Sequence, residues 1–315
     1  MEAIQNKLVN MFYNTWAIQS SVYVTNKLLD KGEKPAVLSA IMKEQTTERA
    51  RHVLLDGMDI HGGSAICMGS NNLIEKFYKS APIGITVEGS NVLTKNLIIF
   101  GQGLNKSHPY IYPILDAVEN DDAKKFGENM ALIINHSLKL IVDSFMYSTF
   151  TCDRLVTQTQ NFACLSNLIA LKGGAIKKEQ SLSADMASIL SNLYLAHCMK
   201  IYEHNNNVSE KLTDIFIEKL TNENVLIFNR VIDNLDYGIL LSYMKSKPTE
   251  EYKTTKIILD EIETNPQILE KLRENIYINP TLKNMETLDT LDKSSDDYKS
   301  LYDKIISVGE YKITN

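Results

Sequence analysis

Residues 4–29 read IQNKLVNMFYNTWAIQSSVYVTNKLL, and this stretch decides the fold class. Its apolar residues recur mostly at spacings of three, four and seven, which is typical of one face of an amphipathic helix. They include Leu8, Met11, Phe12, Trp16, Val22 and Tyr23. Asp30, Lys31 and Gly32 follow, and glycine suits the left-handed position just beyond a helix. We therefore predict a long helix that ends at this glycine.

The same periodicity continues along most of the chain. Further helices are predicted over 36–59, 71–79, 90–102, 121–147, 154–172, 181–204, 209–235 and 251–263. Residues 82–87 are predicted to be extended, because proline disfavours helical geometry in the residue before it. Gly101, Gly103 and Pro109 are expected to stop the helix over 90–102. Since there are only seven prolines and no Val/Ile-rich hairpin pattern, the predicted fold class is all-α.

The chain length and one change in composition predict two helical regions. At roughly 150 residues per domain, 315 residues suit two domains or one large helical body. The composition shifts at the acidic stretch 119–122, so we place the boundary there. The predicted regions are 1–119 and 120–315.

Charge and cysteine usage exclude several classes of protein. The formal charge is −6, whereas a protein that binds a phosphate backbone is normally basic, so nucleic acid is not an expected partner. No apolar run approaches the ~18–20 residues that span a bilayer. The N-terminus lacks the basic and apolar regions of a signal peptide. The four cysteines are far apart, which indicates a reduced, cytoplasmic protein rather than a disulfide framework or a zinc site.

Glycine and histidine patterns give little evidence of a phosphate or metal site. Gly101-Gln102-Gly103 follows a helix rather than a strand and lacks the third glycine of a dinucleotide fingerprint. Residues 172–178, KGGAIKK, lack the Gly-Lys-Ser/Thr of a P-loop and are interpreted as a helix end. Gly62-Gly63 taken alone is a turn that lets a backbone approach a ligand. No histidine or carboxylate spacing matches a metal motif, so we predict no metal.

Glu88 is the single carboxylate that stands out. An apolar run over 83–85 leads to it, Gly89 follows, and Ser90 or Asn91 can cap the next helix. One interpretation is a favourable contact with the helix dipole. The other is a general base, because apolar surroundings raise the proton affinity of a carboxylate. The residues alone leave both interpretations open.

Several short segments together resemble a known family. They are KPAVLSAI (34–41), MDIHGG (58–63), PIGITVEGSN (82–91) and IIFGQG (98–103). This series resembles the C-terminal α-helical domain of bacterial long-chain acyl-CoA dehydrogenases. The later segments GGAIKKE (173–179), LSA (182–184) and LSNLYL (190–195) are similar to the C-terminal extension of that subfamily. The resemblance implies a helical bundle followed by a second helical region.

The resemblance also implies a chemistry for these positions. It implies oxidation of a fatty acyl-CoA to trans-2-enoyl-CoA with FAD, in fatty-acid β-oxidation. Glu88 matches the base that takes the α-proton, and its own backbone N–H matches a donor to the thioester carbonyl. Gly89 would let substrate and flavin pack closely, while Ser90 and Asn91 align with residues that contact the flavin. The pair Gly62 and Gly63 matches the turn at the ADP half of FAD, often that of a neighbouring subunit. Ala65 stands where a third glycine is common.

Further expectations concern partners. The resemblance implies an N-terminal helical domain and a β-barrel-like middle domain ahead of these motifs. We therefore expect either a homo-oligomer or a separately encoded N-terminal half, together with an electron-transfer acceptor. Peripheral contact with the inner membrane is a further expectation. The alternative is an inactive, truncated remnant that acts as a helical interaction or oligomerisation module.

Overall fold

The computed structural model describes residues 1–67, 72, 74–249, 253–274, 276–278 and 280–307. Within these residues the chain is helical and contains no strand. The α-helices are α1 (Glu2–Asp30), α2 (Ala36–His61), α3 (Glu75–Thr86), α4 (Asn91–Leu93), α5 (Gly103–Ser107), α6 (Ile111–Glu119), α7 (Ala123–Phe150), α8 (Arg154–Ala170), α9 (Gln180–Asn206), α10 (Glu210–Asp233), α11 (Thr254–Thr264), α12 (Gln267–Arg273), α13 (Pro280–Thr290) and α14 (Asp296–Ser307). A π-helix (Thr94–Gln102) joins α4 to α5. The all-α prediction is confirmed.

Local sequence signals explain where the long helices begin. Asp122 accepts a hydrogen bond from the backbone N–H of Lys125 at 2.9 Å and caps α7. Asp153 and Ser209 cap α8 and α10 in the same way. Side-chain caps of this kind satisfy N–H groups that have no partner inside the helix. The predicted helices over 4–29, 36–59, 121–147, 154–172, 181–204, 209–235 and 251–263 are all present, and no end is displaced by more than three residues.

Two clusters of buried side chains hold the helices together. The first contains residues of α2, the π-helix, α8, α9 and α10, with Ile41, Ile99, Leu165 and Ile189 fully buried. The second packs α1 against α9 to α12 around Trp16, which has no exposed surface. Helices on both sides of residue 120 therefore contribute to the same core. The proposed boundary at 119–120 stays a prediction.

The prediction for residues 82–87 is wrong, because they are helical as far as Thr86 and belong to α3. Pro82 lies inside this helix and removes one backbone donor, which is the cost expected of an internal proline. The hydrogen-bond ladder nevertheless resumes, since the N–H of Val87 donates to the carbonyl of Ile83 at 3.0 Å. The predicted helix over 71–79 begins later, at Glu75, and residues 71 and 73 lie outside the described part of the chain.

The expected stop at Gly101 and Gly103 is also wrong. The helix continues through both residues, first as the π-helix and then as α5 to Ser107. A Cβ atom on Gly103 would lie 3.2 Å from both methyl groups of Val37, and one on Gly101 would lie 3.5 Å from the hydroxyl of Ser183. Gly103 therefore allows α5 to approach α2 closely, and neither glycine ends a helix.

Candidate active site

The candidate site is the turn between α3 and α4. Here two consecutive residues have left-handed backbone geometry, Glu88 with φ +59° and Gly89 with φ +87°. Glycine adopts this geometry readily, but for a residue with a Cβ atom it costs roughly 1–2 kcal/mol. Non-glycine residues in this region are concentrated at sites where the surrounding structure imposes the conformation. The turn therefore presents Glu88 at a conformational cost.

Helix α2 fixes this turn through Lys43. Its ammonium group donates to the carbonyl of Gly89 at 2.5 Å and to the side-chain oxygen of Asn91 at 2.6 Å. The hydroxyl of Thr94 also donates to the Gly89 carbonyl, at 3.4 Å. Hydrogen bonds from a charged donor are among the stronger ones in proteins. One lysine thus joins α2 to both ends of the sharp turn.

Asn91 completes the connection to α2. Its side-chain nitrogen donates to the Thr47 hydroxyl at 2.9 Å and to the Glu48 carboxylate at 3.1 Å. Because its oxygen is bonded to Lys43, both ends of the amide are engaged within the chain, and the residue is only 4% exposed. Ser90 caps α4 by accepting from the N–H of Leu93 at 3.3 Å. Of the two residues that the sequence offered as the cap, Ser90 is therefore the one that caps α4.

The Glu88 side chain itself faces solvent. Its carboxylate has no hydrogen-bond partner among the residues described here, and the residue is exposed. Two apolar side chains close to it in sequence are also exposed, Ile83 by 59% and Val87 by 48%. The apolar surroundings that the sequence indicated for this carboxylate stay a prediction. The chain does not itself exclude water from it.

The second predicted element is the Gly62-Gly63 turn at the end of α2. Gly62 has φ +59° and ψ −134°, a conformation that side chains rarely adopt. A Cβ atom at either glycine would meet nothing within 4 Å, so the backbone of the turn is open on the side where side chains would project. Ala65 is 2% exposed, and its methyl group therefore packs inward rather than across the open turn.

A polar cavity of about 710 Å³ lies behind the candidate turn, between α1, α2, the π-helix, α9 and α10. Asn91 and Lys95 line it on one side. Glu44 lines it on another and is 4% exposed, and burial raises the pKa of its carboxyl group above the usual value. Opposing this, the ammonium group of Lys95 favours the charged carboxylate. The candidate turn is therefore backed by buried polar groups rather than by apolar packing.

The sequence reasoning missed the residues of α2 that hold the turn. Lys43 and Thr47 are four apart on one helix and so lie on the same face, with Glu48 next to them. That spacing was visible in the sequence, but nothing in it showed that the face would meet residues 89–91. Only the packing of α2 against α3 and α4 brings these groups together.

Two known protein families together match nearly the whole chain. Residues 105–308 match the family "Acyl-CoA dehydrogenase, C-terminal, bacterial type". The chain belongs to this family. Residues 1–100 match a second family of the same enzymes, "Acyl-CoA dehydrogenase, C-terminal domain". The resemblance that the short segments indicated is therefore confirmed.

A solved structure supports the fold of this acyl-CoA dehydrogenase C-terminal chain. This chain is similar to the crystal structure of an acyl-CoA dehydrogenase complexed with FAD from Bacillus anthracis, with 21% sequence identity and a TM-score of 0.64. The match covers 84% of this chain and 49% of the Bacillus anthracis chain. This chain thus spans about half the length of the protein it matches. Within the described residues, no helix is both long and apolar enough to cross a membrane.

Proposed function

We propose that this chain forms the C-terminal helical part of an FAD-dependent acyl-CoA dehydrogenase that converts fatty acyl-CoA to trans-2-enoyl-CoA in β-oxidation, with Glu88 as the base. The observation that carries the proposal is the left-handed Glu88-Gly89 turn, which Lys43 and Asn91 brace from α2. Family membership supports the reaction class. A base must be held in a fixed position to take a weakly acidic proton, and the bracing provides this.

The residues of the turn have distinct roles in this proposal. The Glu88 carboxylate accepts the α-proton of the thioester, and its own backbone N–H donates to the thioester carbonyl and stabilises the negative charge that develops there. Gly89 has no side chain, so a substrate can approach the backbone closely. Asn91 positions the turn, because both ends of its amide are already bonded to α2.

The described residues fit FAD at two places. The open Gly62-Gly63 turn has no side chain that would obstruct an extended dinucleotide. Ser90 keeps its hydroxyl hydrogen free to donate, since it uses only its oxygen as a cap. When bound, FAD supplies hydride acceptance, which no amino-acid side chain provides. For Asn91, the internal hydrogen bonds support a role in orienting Ser90 and Glu88 rather than direct contact with the flavin.

A surface that covers Glu88 is part of the proposal. The base needs a dry environment to gain proton affinity, and in this chain the carboxylate and the neighbouring Ile83 and Val87 are exposed. We propose that the missing cover is an N-terminal half, from the same or another polypeptide, or a second copy of this chain in a homo-oligomer. An electron-transfer acceptor and a cytoplasmic location, with peripheral contact at the inner membrane, complete the proposal.

Flavin spectroscopy tests the function. We expect the purified protein, with the N-terminal half co-expressed, to bind FAD and to lose its absorbance at about 450 nm when dodecanoyl-CoA is added. Glu88→Gln removes the base while keeping the size of the side chain, so flavin is expected to stay bound and the bleaching to slow by at least about 100-fold. Glu33→Gln, at an exposed position away from the turn, is the matched control.

Two outcomes would contradict the proposal. Bleaching of Glu88→Gln at the rate of the unmodified protein would show that another group takes the proton. A folded protein without flavin in every preparation would exclude the dehydrogenase function and favour the non-catalytic helical module.

A further inference from the structure

A second cavity, of about 600 Å³, lies away from the Glu88 turn. It opens between the start of α2, the π-helix, α5, α7, α8 and α9, so residues from both predicted regions form its walls. Its size is within the range of roughly 300–1,000 Å³ that is usual for small-molecule sites. Most of the wall is apolar and includes Val37, Leu38, Phe100, Leu140, Phe162 and Leu190.

The charged groups in the wall of this cavity are all basic. Lys34 and Lys106 line it and are exposed, and no aspartate or glutamate is among its lining residues. Neither lysine makes an ion pair or a side-chain hydrogen bond within the described part of the chain. An apolar cavity with two available ammonium groups and no competing carboxylate is complementary to an apolar molecule that carries a negative charge at one end.

Two polar side chains in the wall, those of His108 and Asn167, are oriented by hydrogen bonds. His108 accepts from the backbone N–H of Tyr110 at 3.2 Å through Nδ1, so its Nε2 carries the proton and donates to the Asn167 side chain at 3.0 Å. Asn167 in turn donates to Ser137 at 2.7 Å. Ser166, also in the wall, has a buried hydroxyl without a hydrogen-bond partner in the described structure. None of these groups would repel an anion.

We propose that this cavity binds a single alkyl chain that carries an anionic head group, with its hydrocarbon tail between α2, α7, α8 and α9 and its head group at Lys34 and Lys106. The shared chemistry is an alkyl chain with an anionic head, which a free fatty acid or the phosphates of a fatty acyl-CoA can supply. The site is separate from the Glu88 turn and does not depend on the proposed dehydrogenase function.

Calorimetric titration of the full chain with dodecanoate tests this site. We expect binding of one dodecanoate per chain. Decanoate lacks two of the methylenes and should bind about 16-fold more weakly, because each buried methylene is worth about fourfold in affinity. Dodecyltrimethylammonium has the same tail and a positive head, so it should bind at least tenfold more weakly than dodecanoate. If dodecanoate and dodecyltrimethylammonium bound with equal affinity, the proposed role of the two lysines would be wrong.

Variants locate the bound molecule. Ala163→Trp fills the cavity from α8 and should abolish binding of dodecanoate. The double variant Lys34→Glu with Lys106→Glu should weaken it at least tenfold without disturbing the core, because both lysines are exposed. The matched control reverses two exposed lysines elsewhere, Lys124→Glu with Lys178→Glu, and should bind normally.

The two sources of the anionic head are separated by a parallel titration with dodecanoyl-CoA. Binding of dodecanoate that Lys34 and Lys106 control identifies a fatty-acid site. If only dodecanoyl-CoA binds, with the same dependence on these lysines, the head is the phosphate of a fatty acyl-CoA. If folded Ala163→Trp and the double charge reversal both bind dodecanoate as the unmodified chain does, or if the unmodified folded chain binds neither compound, the proposal fails.

Discussion

Helices α9 and α3 represent opposite ways in which a helix is held in this molecule. Twelve residues of α9 are buried, and the helix contributes to both core clusters. No residue of α3 is buried, although the helix leads directly into the candidate turn. Its apolar side chains Phe77 and Ile83 are about 60% exposed. The stability of the chain and the positioning of its candidate base therefore come from different parts of the structure.

Contacts with α2 explain how α3 stays in place without burial. Gly84 lies so close to α2 that an added Cβ atom would be 3.2 Å from a methyl carbon of Thr47. Asn72 donates to the backbone carbonyls of Ser64, Ala65 and Cys67 and accepts from the first N–H groups of α3. The position of α3 thus depends on a close helix contact and on one asparagine. The same α2 residue, Thr47, also accepts from Asn91 of the candidate site.

The largest expected effect on stability comes from replacing a phenylalanine by alanine in the buried core, compared with the same replacement on the exposed helix α3. Phe216 is fully buried on α10 and contacts the rings of Phe12, Tyr13 and Trp16. Phe216→Ala should lower the free energy of unfolding by about 3–5 kcal/mol, because it leaves a cavity in the core. Phe77→Ala on α3 should change it by less than about 0.5 kcal/mol. Urea denaturation followed by circular dichroism measures both, and similar losses would refute the distinction between the regions.

A smaller effect is expected where the candidate turn is tied to α2. Asn91→Ala removes three hydrogen bonds and leaves Lys43, Thr47 and Glu48 without this partner. Because the residue is buried, the loss should be about 1–3 kcal/mol. The control is Asn129→Ala, a partly exposed asparagine that bonds only to a carbonyl of its own helix. An Asn91→Ala variant as stable as this control would show that the turn does not depend on these bonds.

The smallest expected effect is a gain in stability at the candidate base. Glu88→Gly relieves the left-handed strain, and after the entropy cost of a glycine the net gain is about 0.5 kcal/mol. Asp121→Gly, at φ +53° and outside the site, should gain a similar amount, whereas Glu88→Gln should gain nothing. These differences are measurable as shifts in the urea midpoint. If Glu88→Gly were less stable than the parent chain, the carboxylate would have a stabilising contact that the structure does not show.

Helices such as α1, α9 and α10 could be predicted because each buries one face, and burial leaves a regular pattern in the sequence. Residues 82–87 could not, because the rule for proline describes only the neighbouring backbone, whereas α3 is fixed by α2. The role of Gly103 was equally hidden, since only the position of Val37 shows that an added Cβ atom would make a tight contact there. Sequence similarity pointed to Glu88 and Gly62, but not to the hydrogen bonds by which Lys43 and Asn91 orient the turn.

The pairing of α1 with α9 and α10 has a consequence for synthesis of the chain. Tyr13 contacts Phe216 and its hydroxyl donates to Glu223, partners more than two hundred residues away in sequence. At roughly 5–20 residues per second, α1 leaves the ribosome on the order of ten seconds or more before these partners exist. During that interval Tyr13 and Trp16 lack their aromatic partners on α9 and α10. Production of the protein in cells is therefore expected to depend on chaperone capacity more than its final stability would suggest.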